Sequence, residues 1–388
     1  MINREFIEKK EKNTLSKYAC FSKDFNNEGA HPLRTQFQRD RDRIMHSKAF
    51  RSLEYKTQVF LTNINDHLRT RLTHTIEVSQ IARTLAQILN VNQDLTEAIA
   101  IGHDIGHTPF GHAGERALND LLEKYNLSFK HNVQSVRILM LLEKKYDFAG
   151  LNISLPVREG ILKHTKMPDV LPEYCNDLYT NKKYSITIEG QIVAMADEIA
   201  QITHDLDDYL RLEILDTDHI ILDKLTSLVR EFHQTRYGQD PFPQNITLDK
   251  KDILGIKDKL IKCYVDYLVY QLAYDSFENL NLKEYRAMEL DEVVIKYSDK
   301  IGSEVNRFHS KMNKLIFNDN FKIKEMDKRG KLIITSLFDY YISRPEKMPN
   351  PTYEKFLKNN KSPIVIADYI SGMTDRYAIS QYKEMIKL

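Results

Sequence analysis

The stretch His103-Asp104-Ile105-Gly106-His107-Thr108-Pro109-Phe110-Gly111-His112 decides how the rest of this 388-residue chain is read. Three histidines and an aspartate fall within ten residues. Burying an adjacent His-Asp pair without partners would cost several kcal/mol. A bound divalent cation is the simplest account of the pair. Imidazole with carboxylate suits Zn, Mn, Fe or Co. Such a site with open positions can also activate water.

Two residues do not make a metal site, so further ligands are expected elsewhere. His74 begins a helical pattern with apolar Ile76, Ile81, Leu85 and Ile88. Asp197 lies in the largely apolar run Ile192–Ala200, where a lone carboxylate is costly. His74, His103, Asp104 and Asp197 therefore read as four ligands from three helices. Their order, H…HD…D, resembles the signature of the HD-domain metal-dependent phosphohydrolases.

The flanking segments narrow the resemblance. His31–Arg51 and Glu54–Phe60 resemble the N-terminal signature of bacterial dGTP triphosphohydrolases, and Ala367–Ala378 resembles their closing motif. The resemblance runs from about His31 to Tyr377. It implies an all-α, mostly helical fold: an HD-domain core with N-terminal and C-terminal helical extensions. It also implies an enzyme that cleaves dGTP or several dNTPs to deoxynucleoside and triphosphate. The family assembles into hexamers or tetramers, so a homo-oligomer is expected. Single-stranded DNA and an allosteric dNTP are further partners that the resemblance allows.

Carried over residue by residue, the resemblance places a divalent ion on His74, His103, Asp104 and Asp197. Mn2+ or Mg2+ comes first, with Fe, Co, Zn or Ni as alternatives. His112 matches the catalytic histidine and Glu115 its acidic partner. The two are three residues apart, so on a helix their side chains can meet. Expelling a nucleoside 5′-oxygen needs a proton donor, and a histidine held by a carboxylate suits that work. His107 and His131 match positions lining the phosphates. Arg71, one turn before His74, matches a phosphate-binding arginine, and Lys163 matches a residue near the phosphates. Arg34 belongs to a cation-rich segment, residues 31–71, expected to face the triphosphate. Gln58 matches a contact to the sugar 3′-hydroxyl, and Asp205 one that faces the sugar. Gln201 stands where the family usually has a tyrosine that helps hold the polyphosphate.

Helical spacing puts Asp197, Gln201, His204 and Asp208 on one face. Asp208 reads as part of a solvated helix face. Arg39, Arg41 and Arg43 alternate with Asp40 and Asp42, which suggests salt-bridged structure. A capping pattern, Asp94-x-x-Glu97, suggests the start of the helix leading to His103-Asp104. Residues 131–145 and 189–212 carry helical periodicity, and loops are expected near 149–156, 167–183 and 238–247. The division expected is an N-terminal arm (1–30), a catalytic core (31–237) and a C-terminal helical region (238–388) that packs on the core and completes the nucleotide site. The best internal boundary is Tyr237–Asn245.

Composition sets the outer bounds. Lys and Arg number 56 against 55 Asp and Glu, so nothing in the global charge commits the chain to nucleic acid or membrane. Three widely spaced cysteines form no CxxC pair, and Met1–Lys12 is charged with no apolar core, so a cytoplasmic home is expected. No apolar run approaches the roughly 20 residues of a membrane span. The lack of a P-loop pattern argues against Walker-type ATPase or kinase chemistry. Two alternatives stay open. One is an HD-superfamily nucleotide phosphomonoesterase. The other is a nucleic-acid-binding regulator using the basic stretch Lys311–Lys331, with Phe308, Phe317 and Phe321 as stacking platforms.

Overall fold

The computed structural model describes residues 3–22, 31–58, 69–211, 223–238, 240, 250–281, 285, 288–315 and 321–387. Their regular structure is helical, apart from one isolated antiparallel bridge between Thr57 and Thr70. The first helices are α1 (Arg4–Thr14), α2 (Gln36–Met45), α3 (Lys48–Ser52), α4 (Arg71–Ile88) and α5 (Gln93–Gly102). Then come α6 (Gly111–Glu123), α7 (His131–Arg137), α8 (Leu155–Lys163) and α9 (Ile188–Arg211). The chain continues through α10 (Lys224–Tyr237), α11 (Lys250–Asn281), α12 (Asp299–Asn313) and α13 (Phe321–Ser343). It closes with α14 (Asn350–Lys358), α15 (Pro363–Ser371) and α16 (Asp375–Ile386). The all-α expectation holds. The boundary expected at Tyr237–Asn245 falls mostly outside the described residues, as does Phe317.

Local sequence explains where the site-bearing helices begin. Thr70 caps α4 through a reciprocal bond pattern with Thr73. Val78, Ile81, Ala82 and Leu85 of α4 are buried, whereas Ile76 and Ile88 are exposed. The buried set follows the i, i+3, i+4, i+7 spacing. Ile76 lies off that stripe, whereas Ile88 continues it but is exposed as the last residue of α4. Asn92, rather than Asp94, caps α5, its side chain accepting from Asp94 N and Leu95 N. Asp94 and Glu97 turn instead to Arg41, at 3.2 and 3.3 Å. The 131–145 helix is shorter than its periodicity suggests: α7 passes into one π-helical turn over Ile138–Leu142 and ends.

The helices bury two apolar clusters. The first gathers α4, α5, α8, α9, α11 and α12, with Leu85, Leu95, Ile99, Ile161, Ile192 and Leu268 fully enclosed. At Gly160 of α8 an added Cβ would stand 2.6 Å from Ile99 Cδ1, so only glycine lets α8 close on α5. The second cluster joins α6 to α13, α15 and α16 through Leu118, Leu122, Ile334, Phe338 and Ile370. Truncating a buried Leu in either cluster should cost about 2–5 kcal/mol. Phe110 belongs to the second cluster and Ile105 to the first, so the His-Asp loop lies where the two meet. No helix among the described residues is long and apolar enough to cross a membrane. Cys20, Cys175 and Cys263 are buried free thiols.

Candidate metal centre and active site

Four helices converge on His103-Asp104. His74 comes from the first turns of α4, the pair from the end of α5, Asp197 from the middle of α9, and His131 starts α7. The loop is pinned from outside. Gly106 N donates to Ser135 Oγ, which donates in turn to the His103 carbonyl. A Cβ on Gly106 would lie 2.2 Å from the His131 carbonyl, so no larger residue lets the loop seat on α7. Lys56, fully enclosed, donates to the carbonyls of His107 and Ser371. Burial and the nearby Arg71 push its ammonium down to about 7.

Asp375, in the closing motif, makes the most distant tie. Its carboxylate accepts from Thr57 N and Phe110 N, each at 3.0 Å, and from the Thr57 hydroxyl. Phe110 adopts φ 63°, a left-handed conformation unusual for a bulky residue. The Asp375 bond and the apolar packing of the ring hold it there. Asp368 of the same motif forms a two-pronged pair with Arg137, at 2.7 and 2.9 Å. The closing motif therefore fixes the shape of the His-Asp loop from behind.

His103 carries the plainest mark of a cation site. Its Nδ1–H donates to the Ala100 carbonyl at 2.6 Å, so the neutral ring presents the lone pair of Nε2 inward. That atom is buried and has no hydrogen-bond partner. It faces Asp104 Oδ1 at 3.5 Å and Asp197 Oδ1 at 3.6 Å. A lone pair and two carboxylate oxygens repel one another unless positive charge lies among them. His74 Nε2 reaches the same Asp197 oxygen at 2.9 Å. The ligand atoms of His74, His103 and Asp104 lie within 4.8 Å of one another, as do those of Asp104, His107 and His131. These residues fit a divalent ion. The electrostatics agree: burial would depress the His103 imidazole, yet Asp104 and Asp197 lift it to about 9. Burial opposes ionisation of Asp104, but His107, His103 and Arg71 hold it well below the usual carboxylate range.

Around this core the expected residues separate into groups. Arg71 is buried, donates from Nη1 to Asp104 Oδ2 at 2.7 Å, and keeps Nε unpartnered. His107 contacts Asp104 at 3.1 Å and stacks on His131 with ring centres 3.8 Å apart. His131 Nδ1 bonds Glu115 Oε2 at 2.9 Å. His112 is more exposed, and its Nδ1 stands 3.8 Å from the same oxygen. Glu115 is thus shared, with its hydrogen bond going to His131. Despite its burial, the surrounding histidines keep it strongly ionised. Gln58 is half-buried with Oε1 unpartnered. Gln201 is half-buried, one turn beyond Asp197. Asp205 is buried, and burial together with Asp208 and Asp197 pushes it up to about 8.

Two expected residues are held elsewhere. Lys163 is fully buried but bonds Glu159 and the Tyr179 carbonyl, each at 2.8 Å. Arg34 pairs with Asp42 at 2.6 Å on the surface. Other readings change as well. Asp208 is buried and paired with Arg69 at 3.3 Å, not solvated, because Arg69 caps that face of α9. Of the alternating charges, Arg41 is salt-bridged, whereas Arg43 bonds the carbonyls of Leu151 and Asn152. Phe308 is fully buried in the first core, so it offers no face to a base.

The structure adds residues that spacing did not single out. His164 is buried, with Nε2 3.3 Å from His131 Nε2 and its ring edge-on to His103. It directly follows Lys163, the residue the resemblance points to, and adjacency was the only signal for it. Glu77 is another, and it lies behind His74 with His204, which comes from the α9 face already noted. Burial, joined by His74 and Arg69 and opposed by Glu77, drives the His204 imidazole down to about 4.

Comparison with known proteins agrees with this geometry. The model of the HD domain family matches residues 71–202, and that of the phosphohydrolase-associated domain matches residues 295–384. A deoxyguanosinetriphosphate triphosphohydrolase-like protein of Rickettsia felis is 37% identical over 379 residues, covering 92% of each chain. A protein of the same description from Caldanaerobacter subterraneus is 38% identical, covering 98% of this chain and 95% of its own. The corresponding Syntrophus aciditrophicus protein is 37% identical, covering 100% and 97%.

Proposed function

The chain belongs to the deoxyguanosinetriphosphate triphosphohydrolase-like family of HD-domain phosphohydrolases, and from that premise we propose that it hydrolyses a deoxynucleoside triphosphate to deoxynucleoside and intact triphosphate. One observation carries the reading: the buried, unpartnered Nε2 of His103, facing two carboxylates within reach of His74. His74, His103, Asp104 and Asp197 would hold a divalent ion, with Mn2+ or Mg2+ the first candidates. Such an ion supplies positive charge and Lewis acidity beside the scissile phosphorus.

The protein's own groups do the rest. Arg71 Nε and His107 Nδ1 are buried polar atoms with bonding capacity left over, which an incoming phosphate can take up. The polyanion itself raises the proton affinity of His107, so that the ring donates. His131, tethered by Glu115, closes the same side. His112, more exposed and next to Glu115, gives its proton to the departing 5′-oxygen. Gln58 and Asp205 face the sugar. Asp205 is held protonated by its surroundings and donates a hydrogen bond to it.

The products decide the matter. Each dNTP, singly and in mixture, is incubated with the protein and Mn2+ or Mg2+. Inorganic triphosphate with free deoxynucleoside is the expected result. Pyrophosphate or orthophosphate as the first product would overturn it, and orthophosphate released from deoxynucleoside monophosphates with dNTPs left intact would favour the phosphomonoesterase reading. Asp104→Ala and Asp197→Ala should each lose bound Mn2+ and activity together. By its family we infer a homo-oligomer, a hexamer or tetramer, as the working form. A fully active monomer at micromolar concentration in light scattering would refute it.

A further inference from the structure

Behind the metal centre His74 is held by a chain of side chains. Its Nδ1 lies 3.1 Å from Nδ1 of His204, seven residues beyond Asp197 on α9. His204 Nε2 is in contact with the Glu77 carboxylate, one turn beyond His74 on α4. Glu77 accepts from Arg69 Nε at 3.0 Å, and Arg69 reaches Asp207 at 2.5 Å. Both imidazoles are buried. The chain backs onto a cavity of about 980 Å³ between α4, α9 and α11, and His204 and Glu77 line its wall on the side of the metal centre.

Proton counting leaves one arrangement. A neutral imidazole carries a single N–H. If His74 binds a cation through Nε2, its proton sits on Nδ1 and points at His204 Nδ1. That atom must then be a lone pair, so the His204 proton sits on Nε2 and is donated to Glu77. Every polar atom in the row is satisfied, and no other neutral arrangement satisfies them all. The two ligand histidines are therefore oriented by different means. The Ala100 carbonyl fixes His103, and no side-chain change removes it. His74 depends on side chains alone.

We propose that His204 and Glu77 are positioning residues of the metal centre, a histidine–carboxylate chain that sets the tautomer and ring plane of His74 and thereby the affinity for the ion. The inference rests on His74 being a ligand. Partners of this kind typically change metal affinity by about 10–100-fold when lost.

The test is Mn2+ titration of the full-length protein by calorimetry and by the electron paramagnetic resonance signal of free Mn2+, with melting curves with and without metal. His204→Phe keeps the ring volume and removes the acceptor. It should weaken Mn2+ binding about 10–100-fold while the metal-free melting temperature stays near the parent's. His204→Asn returns an oxygen near the Nδ1 position and should recover most of that affinity. Glu77→Leu should weaken binding, and Glu77→Gln, which still accepts from His204, should do so far less. Unchanged affinity in His204→Phe and Glu77→Leu, with binding abolished in Asp197→Ala, overturns the inference and leaves the metal centre standing. Unchanged binding in Asp197→Ala removes the centre itself. Equal loss in His204→Phe and His204→Asn, with both metal-free proteins destabilised, makes the role structural and also overturns it. Should His204→Phe fail to fold, His204→Asn and the two Glu77 variants decide between the same outcomes.

Discussion

Glu115 bonds His131 Nδ1 at 2.9 Å and stands 3.8 Å from His112 Nδ1, so one carboxylate serves two histidines of unequal exposure. Removing its charge should affect both. Glu115→Gln is expected to retain metal and to lower kcat at least about tenfold. His112→Ala is expected to retain metal and lose about 10²–10⁴ in turnover, the usual share of a proton donor. Stoichiometric Mn2+ binding alongside steady-state kinetics checks both. Metal loss in His112→Ala would make that residue a ligand instead.

Gln201 is half-buried one turn beyond Asp197, where the family usually has a tyrosine. Gln201→Tyr should fold with a change below about 1.5 kcal/mol and lower KM for the dNTP without altering Mn2+ affinity. A destabilised variant with reduced turnover would show that neighbouring residues already occupy the space.

Asp375 should matter far more to stability than its distance along the chain from the histidines suggests. Asp375→Ala strands two buried backbone donors, Thr57 N and Phe110 N, at about 1–3 kcal/mol each. The expected result is a clear fall in melting temperature together with weaker metal binding, as the His-Asp loop loses its clamp. Calorimetric unfolding with and without Mn2+ measures both effects.

Glu189 predicts a pH signature remote from the catalytic residues. Burial pushes its carboxyl up to about 7, against backbone hydrogen bonds from Cys20 and Asn92. A folded-state value raised above the unfolded 4.5 stabilises most fully at low pH. That stabilisation declines as the unfolded chain ionises above 4.5 and is gone once pH passes about 7. Glu189→Gln removes this dependence, so the variant should gain on the parent by about 1–3 kcal/mol between pH 5 and pH 8. Parallel melting-temperature profiles that fail to converge or cross would refute the assignment.

Sequence made His103, Asp104 and Asp197 legible because polar residues in apolar surroundings demand partners, and His74 joined them through the H…HD…D order. It misplaced residues whose reach depends on how helices meet. Lys163 and His164 are adjacent at the end of α8, about 100° apart around the axis, so one of them faces away from the histidines. The close Gly160–Ile99 approach decides which, and periodicity is blind to it. The same holds for Asp208, which looks solvated until Arg69 is seen to cover it. Ile76 failed the other way, as an apolar residue that α4 turns outward, and Ile88 because the helix ends there. His204 lay on a recognised face, but its partner Glu77 sits on another helix and no spacing joins them.

The tie between Asp375 and Phe110 also has a consequence in time. The two residues are 265 positions apart, and Asp375 opens α16. At roughly 5–20 residues per second, a ribosome finishes the His-Asp loop tens of seconds before it makes the residue that clamps it. The ligand helices can pack meanwhile, since α4, α5 and α9 share one core. The loop itself gains its lock only when α16 docks. A chain cut short by a premature stop or a protease would keep every metal ligand and still lack the clamp. Translation past Asp375 thus becomes a condition for a correctly shaped site.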